Sequence, residues 1–168
     1  MSTWKLSCLA VLGKANNPLY LRTFVDDGNE LRYHYLNHTA CDVIEERTTP
    51  PAPAATGGHA AAAAAQLAAA KWAAATDLYL GLLFTTADVA VYGYMTNTRI
   101  KFILTLHAGD AVVREADVRA VFARVHLAYC QLVCNPFYDP ESQRLIASPR
   151  FNQAMAALGG EQRKPQTA

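Results

Sequence analysis

Three side chains placed four residues apart, His126, Cys130 and Cys134, form the first arrangement in this sequence that could do chemistry. A thiol beside an imidazole pairs a covalent nucleophile with its base, or supplies part of a soft-metal ligand set. Nothing around them reads as an oxyanion hole, and small, partly buried thiols flanking an apolar stripe explain the spacing more simply. His34, His38 and Asp42 repeat the step of four, which would offer two imidazoles and a carboxylate to a metal ion. No H-E-x-x-H motif accompanies them, so a solvated or partner-facing helix surface is the weightier reading. Gly13-Lys14 has the look of a phosphate loop's end, but the upstream glycine and the hydroxyl residue after the lysine are missing. It reads as a turn with a surface lysine. Arg99 and Lys101 make a small basic spot at a strand start, ordinarily solvated, with a membrane or GTPase contact as the sharper alternative. On these grounds no catalytic residue, metal ligand or cofactor is assigned.

The strongest local signal is Asn135-Pro136-Phe137-Tyr138 and the stretch before it, from Glu115 onward. Val118, Val121, Phe122, Val125, Tyr129, Leu132 and Val133 trace one stripe of a 3.6-residue period, wide enough to cover a sheet. Glu115 and Asp117 fall in the first turn, where carboxylates favour the positive end of the helix dipole. Asn135-Pro136 stops the helix, because proline has no N–H to donate and pushes its predecessor out of the α region. Phe137 and Tyr138 are then expected to fold under the helix as an aromatic corner of the core. The functional alternative is that they shape an apolar groove for a partner.

The elements that must position these residues follow in order. Trp4 to Leu12 reads as a central strand, with Trp4, Leu6, Cys8, Ala10 and Leu12 on one face and Leu9 and Val11 on the other. Asn16-Asn17-Pro18 turns the chain into a second strand, Leu19 to Val25. A helix is predicted from about Glu30 to Glu46, with Tyr33, Leu36, Ala40, Val43, Ile44 and Arg47 recurring at helical spacing, Arg47 as the polar end of that stripe, and His34, His38, Asp42 and Glu45 or Glu46 on the opposite face. Residues of about 48–75 are Pro/Gly-rich and then alanine-rich, and read as an insertion in a surface connection, since loop-closure cost grows slowly with length. Asp77 to Thr85, Val89 to Thr96 and Ile100 to Leu106 read as a three-strand meander joined by tight turns. A last short helix is predicted over Pro149 to Leu158, with residues 159–168 a disordered tail. The order is ββ-α-βββ-α-α, an α+β domain over residues 1–158 with a five-stranded antiparallel sheet between one helix and two.

Composition narrows the function classes. At 168 residues the chain is long enough for one domain that folds without disulfide or metal. Its formal charge is +1, so there is no global field to draw in nucleic acid or cationic substrates. Charged residues are 17% of the chain, against a usual ~25%, and apolar residues 52%, a hint of surface covered by a partner. Cys8, Cys41, Cys130 and Cys134 form no C-x-x-C pair and read as reduced, buried thiols. Lys5 followed by LSCLAVLG mimics a short signal peptide, but the run is short, broken by Ser7, and reads better as a strand.

The stretches NPLYLR at 17–22, YHYLNHTACDVIEE at 33–46, DLYLGLLFTTADVAVYGYMTNTRIKFIL at 77–104 and LAYCQLVCNPFYDP at 127–140 carry a family likeness, with Phe151-Asn152 at the start of the last helix. In these motifs the chain resembles the sedlin family of trafficking protein particle (TRAPP) complex subunits. The likeness implies a longin-like fold and a non-catalytic adaptor within a multisubunit tethering complex of ER-to-Golgi and Golgi transport. The complex would act on a Rab-class small GTPase, with exchange chemistry belonging to other subunits. Its partners would be those other TRAPP subunits, with no nucleic acid and no cofactor. The location would be cytoplasmic, peripheral to ER and Golgi membranes through the complex. Asp42 matches the family's characteristic helix aspartate, which the likeness ties to subunit contacts, while an aspartate on a helix face can equally just pair with His38 or Arg47. The partner-binding residues expected are His38, Asp42, Glu46, Asn135, Pro136, Phe137 and Tyr138. The rivals are a thiol or metal enzyme using His126, Cys130 and Cys134, and a module enclosing a small hydrophobic ligand.

Overall fold

The structure is a computed structural model that describes residues 4–25, 29–48, 78–107 and 113–163. Two strands, β1 (Lys5–Leu12) and β2 (Pro18–Thr23), precede helix α1 (Glu30–Thr48). Strands β3 (Tyr79–Thr85), β4 (Val89–Met95) and β5 (Lys101–His107) follow, then helices α2 (Glu115–Val133) and α3 (Pro149–Arg163). All pairings are antiparallel and the sheet runs β2-β1-β5-β4-β3, so β5 is central and β2 and β3 are the edges. This is the predicted order and class. The insertion expected at about 48–75 lies outside the described residues apart from Thr48, which ends α1.

Alternation along β5 sets the two layers. Phe102, Leu104 and Leu106 pack against Val118, Phe122, Val125 and Tyr129 of α2 and against Met155 of α3. Ile103, next to them in sequence, points the other way, to Ala40, Cys41 and Ile44 of α1. Burying one such Val, Leu, Ile or Phe side chain stabilises by roughly 1.5–3 kcal/mol, so the α2 stripe accounts for much of what holds that helix down. The predicted stripe is right at six of its seven positions. Val133, in the last turn, is 38% exposed.

Three local expectations change. The register shifts between Leu6 and Cys8 where β1 meets β5, so Trp4 and Leu6 join Leu9 and Val11 on the α2/α3 side while Cys8, Ala10 and Leu12 face α1. An extra residue in a strand turns every later side chain over, which strict alternation cannot anticipate. Helix α3 continues through Gly159 and Gly160 to Arg163, past its predicted end at Leu158. Gly159 is there for proximity: a Cβ at that position would lie 2.1 Å from the Phe24 ring. Residues 164–168 of the expected tail are outside the described residues. Finally, Cys8 and Cys41 are buried as expected, but Cys130 and Cys134 are exposed, because their step of four runs beside the α2 stripe and not along it.

Candidate functional site: the outer face of α1 and the end of α2

Helix α1 buries Tyr33, Leu36, Asn37, Ala40, Cys41 and Ile44. Its opposite stripe carries His34, His38, Asp42 and Glu46, all exposed, together with Leu31 at 81% and Tyr35 at 72% exposure. Sequence reasoning did not single out Leu31 and Tyr35, yet the signal was present: they are apolar residues outside the buried stripe, spaced i, i+4 with each other and in line with His38 and Asp42. His38 Nδ1 and Asp42 Oδ2 are 4.0 Å apart with both side chains mostly in water, a pairing worth little. Asp42 therefore carries a carboxylate that the fold itself hardly uses.

The flanks of α1 are tied to the sheet by polar contacts. Arg32 reaches Asp88 Oδ2 at 3.2 Å in the β3–β4 turn. Arg47 donates to the carbonyl oxygens of Leu80 and Leu83 on edge strand β3, at 3.1 and 3.2 Å, and not to Asp42. Lys101 corrects the expectation of a solvated basic spot. It is 4% exposed, donates to Asn16 Oδ1, and lies 3.6 Å from Glu45 Oε1. Asn16 also donates to Glu45, and that hydrogen bond, with the Lys101 charge behind it, holds the Glu45 carboxyl below its usual range. Burial pushes the neighbouring Cys41 thiol up, partly offset by Lys101.

The other predicted residues lie beyond α2, on the opposite side of the sheet. Asn135 closes the helix with its N–H on Leu132 O, and its side-chain Oδ1 accepts the Phe137 N–H at 3.1 Å while its carbonyl accepts the Tyr138 N–H at 3.0 Å. This tight turn holds Pro136 and Phe137 outward. The expected aromatic corner is therefore half wrong: Tyr138 packs against the core beside Tyr129, but Phe137 is 96% exposed. The turn spends its local hydrogen bonds on placing that ring in water, and aromatic character alone could not reveal this.

Between this end of α2 and the tips of two hairpins lies a cavity of about 610 Å³. His126, Cys130 and Cys134 all line it, as the enzyme reading requires. The chemistry does not follow. His126 Nδ1 lies 2.9 Å from the Tyr94 hydroxyl, and among the described residues no hydrogen bond joins it to either sulfur. Both thiols also sit at the negative end of the helix dipole, which gives an anionic sulfur no help. Tyr129 in the same wall has its phenol pushed up to about 12, mainly by burial and secondly by Tyr138. Among the described residues no three His, Cys, Asp or Glu side chains are grouped to hold a metal, including His34, His38 and Asp42. No described helix is long and apolar enough to cross a membrane.

With this geometry in view, comparison with known proteins identifies the lineage. The family model described as Sedlin matches residues 11–161. The chain is 35% identical over 154 residues to the trafficking protein particle complex subunit 2-like protein of Bos taurus, covering 90% of this chain and 94% of that one. It is 37% identical over 136 residues to the Taeniopygia guttata protein of the same name, covering 79% and 83%. The similarity reaches far beyond vertebrates, at 34% over 158 residues to the Dictyostelium discoideum counterpart, covering 92% and 96%. A five-stranded antiparallel sheet with α1 on one face and α2 and α3 on the other is the longin-like architecture, and the chain belongs to the sedlin family.

Proposed function

We propose that this protein is a non-catalytic assembly subunit of a TRAPP-type tethering complex, docking sister subunits through the outer face of α1. The observation that carries this reading is the stripe of Leu31, Tyr35, His38 and Asp42: two large apolar side chains in water beside a carboxylate with no strong partner. Aromatic and aliphatic anchors edged by polar groups are what partner-facing surfaces supply. Relatives named as subunits of the trafficking protein particle complex support the same reading. Within such a complex the protein would serve ER-to-Golgi and Golgi vesicle transport in the cytoplasm and reach membranes only through its partners. It would support nucleotide exchange on a Rab-class GTPase without touching the reaction. Asn135, Pro136, Phe137 and Tyr138 would form a second contact, with Phe137 as the projecting side chain.

Affinity purification of the tagged full-length chain followed by mass spectrometry tests this. Wild type should recover other subunits of the complex under gentle conditions. Asp42→Tyr should lower that recovery at least several-fold while leaving the thermal midpoint unchanged, because the carboxylate is exposed. Full recovery with Asp42→Tyr and with Tyr35→Ala would retire the α1 surface as the docking face.

A further inference from the structure

The cavity beside α2 is not needed for the docking role, and its construction is unusual for an idle gap. Five separate segments meet around it: the β1–β2 turn (13–17), Leu78 just before β3, the β4–β5 turn (96–100), the last turns of α2, and the return loop at 140–143. Its apolar wall is made by Leu19, Ile100, Tyr129 and Val133. At about 610 Å³ it falls within the ~300–1,000 Å³ typical of small-molecule sites.

A further observation separates it from a packing fault. Among the described residues the only non-glycine residues with positive φ are Asn16 (61°), Arg99 (61°) and Gln143 (52°), one in each of the three connecting segments that frame the cavity. Such conformations persist only where surrounding contacts hold them, and they gather at ligand clamps. Asn16 is held by buried Lys101 and by Glu45, so the β1–β2 wall is braced from the far side of the sheet.

These features define the ligand's chemistry. The exposed ammonium of Lys14 stands on the β1–β2 side, while Glu141 stands on the return loop and repels an anion placed there. We propose that the cavity binds a single-chain carboxylate of the fatty-acid class, its tail against Leu19, Ile100, Tyr129 and Val133 and its head group beside Lys14. Cys130 and Cys134 take no covalent part: the site is a reversible one. The proposal does not depend on the α1 docking surface, which lies across the sheet.

Displacement of the fluorescent acid cis-parinarate from the full-length protein tests it. Dodecanoate should displace the probe with saturation, and dodecan-1-ol should do so about tenfold less well because it lacks the charge read by Lys14. Val133→Trp fills the apolar wall from a partly exposed position and should abolish binding while the thermal midpoint holds. Lys14→Glu, on an exposed turn, should weaken dodecanoate roughly tenfold and leave dodecan-1-ol unchanged. Absence of saturable binding by wild type would overturn the proposal. So would binding untouched by Val133→Trp, or equal affinity for acid and alcohol. Loss of probe binding with full subunit recovery would show Val133→Trp to be folded and the two surfaces to be separate.

Discussion

On the α2/α3 side of the sheet, Tyr94 lies between Phe102 and Phe122 with ring centroids 5.8 and 5.5 Å away, and Tyr129 meets Phe102 edge-on at 5.6 Å. On the α1 side the buried apolar residues are Ala10, Leu12, Ala40, Cys41, Ile44, Leu83, Val91 and Ile103, with Cys8, Tyr33, Leu36 and Val89 beside them, and Lys101, Asn37 and Thr105 are also out of water. The amide N and O of Asn37 and the hydroxyl of Thr105 have no hydrogen-bond partners there. One side is therefore an aromatic core and the other a mainly aliphatic layer that also takes in polar groups. The difference teaches where stability and recognition have been put. Stacked rings hold α2 and α3 to the sheet, while aliphatics hold α1 and leave its Leu31 and Tyr35 facing water.

The largest effect should come from the aromatic layer. Phe122→Ala removes a fully buried ring and should cost about 3–5 kcal/mol in urea denaturation, against about 2–3 kcal/mol for Leu36→Ala under α1. Equal losses would erase the contrast. A smaller effect of opposite sign is expected at Asn37. Replacing it with leucine removes two unsatisfied buried polar atoms and should stabilise by about 1–2 kcal/mol, raising the midpoint by some 2–8 °C. Destabilisation instead would mean that the α1 layer is better satisfied than its contacts show. The smallest effect is confined to alkali. The folded Tyr129 phenol, raised to about 12 from an ordinary value of 10, keeps its proton where an unfolded tyrosine has lost it. Its share of stability is thus complete below pH 10 and is lost as pH rises from 10 through 12. Tyr129→Phe should flatten that part of the pH–stability curve, and an unchanged slope would place the titrating group elsewhere.

Much of this architecture was legible because it repeats. The α2 stripe from Val118 to Leu132 and the alternation of Phe102, Ile103, Leu104 and Leu106 announce their elements locally, and the turns between strands are marked by residue type. What escaped depends on distant partners or on one extra residue. The shift between Leu6 and Cys8 reverses two side chains with no sequence mark. Lys101 looks solvated until Asn16, 85 residues away, and Glu45 are brought to it. Phe137 looks like core because its type says so, whereas the hydrogen bonds of Asn135 decide otherwise. The site residues divide in the same way: His38, Asp42 and Glu46 lie together on an exposed helix face as periodicity says, but Asn135 to Tyr138 are on the far side of the sheet. The cavity was invisible because five segments share it and none carries a motif.

The guanidinium of Arg47 has a wider meaning for how this protein can meet others. By occupying the Leu80 and Leu83 carbonyls it plugs one open margin of the sheet, and the Ile146 N–H, 2.8 Å from Leu19 O, stoppers the opposite margin. A foreign β-segment seeking to lengthen the ladder would first have to evict these donors. Both margins are thereby partly capped, which disfavours edge-to-edge pairing of identical copies.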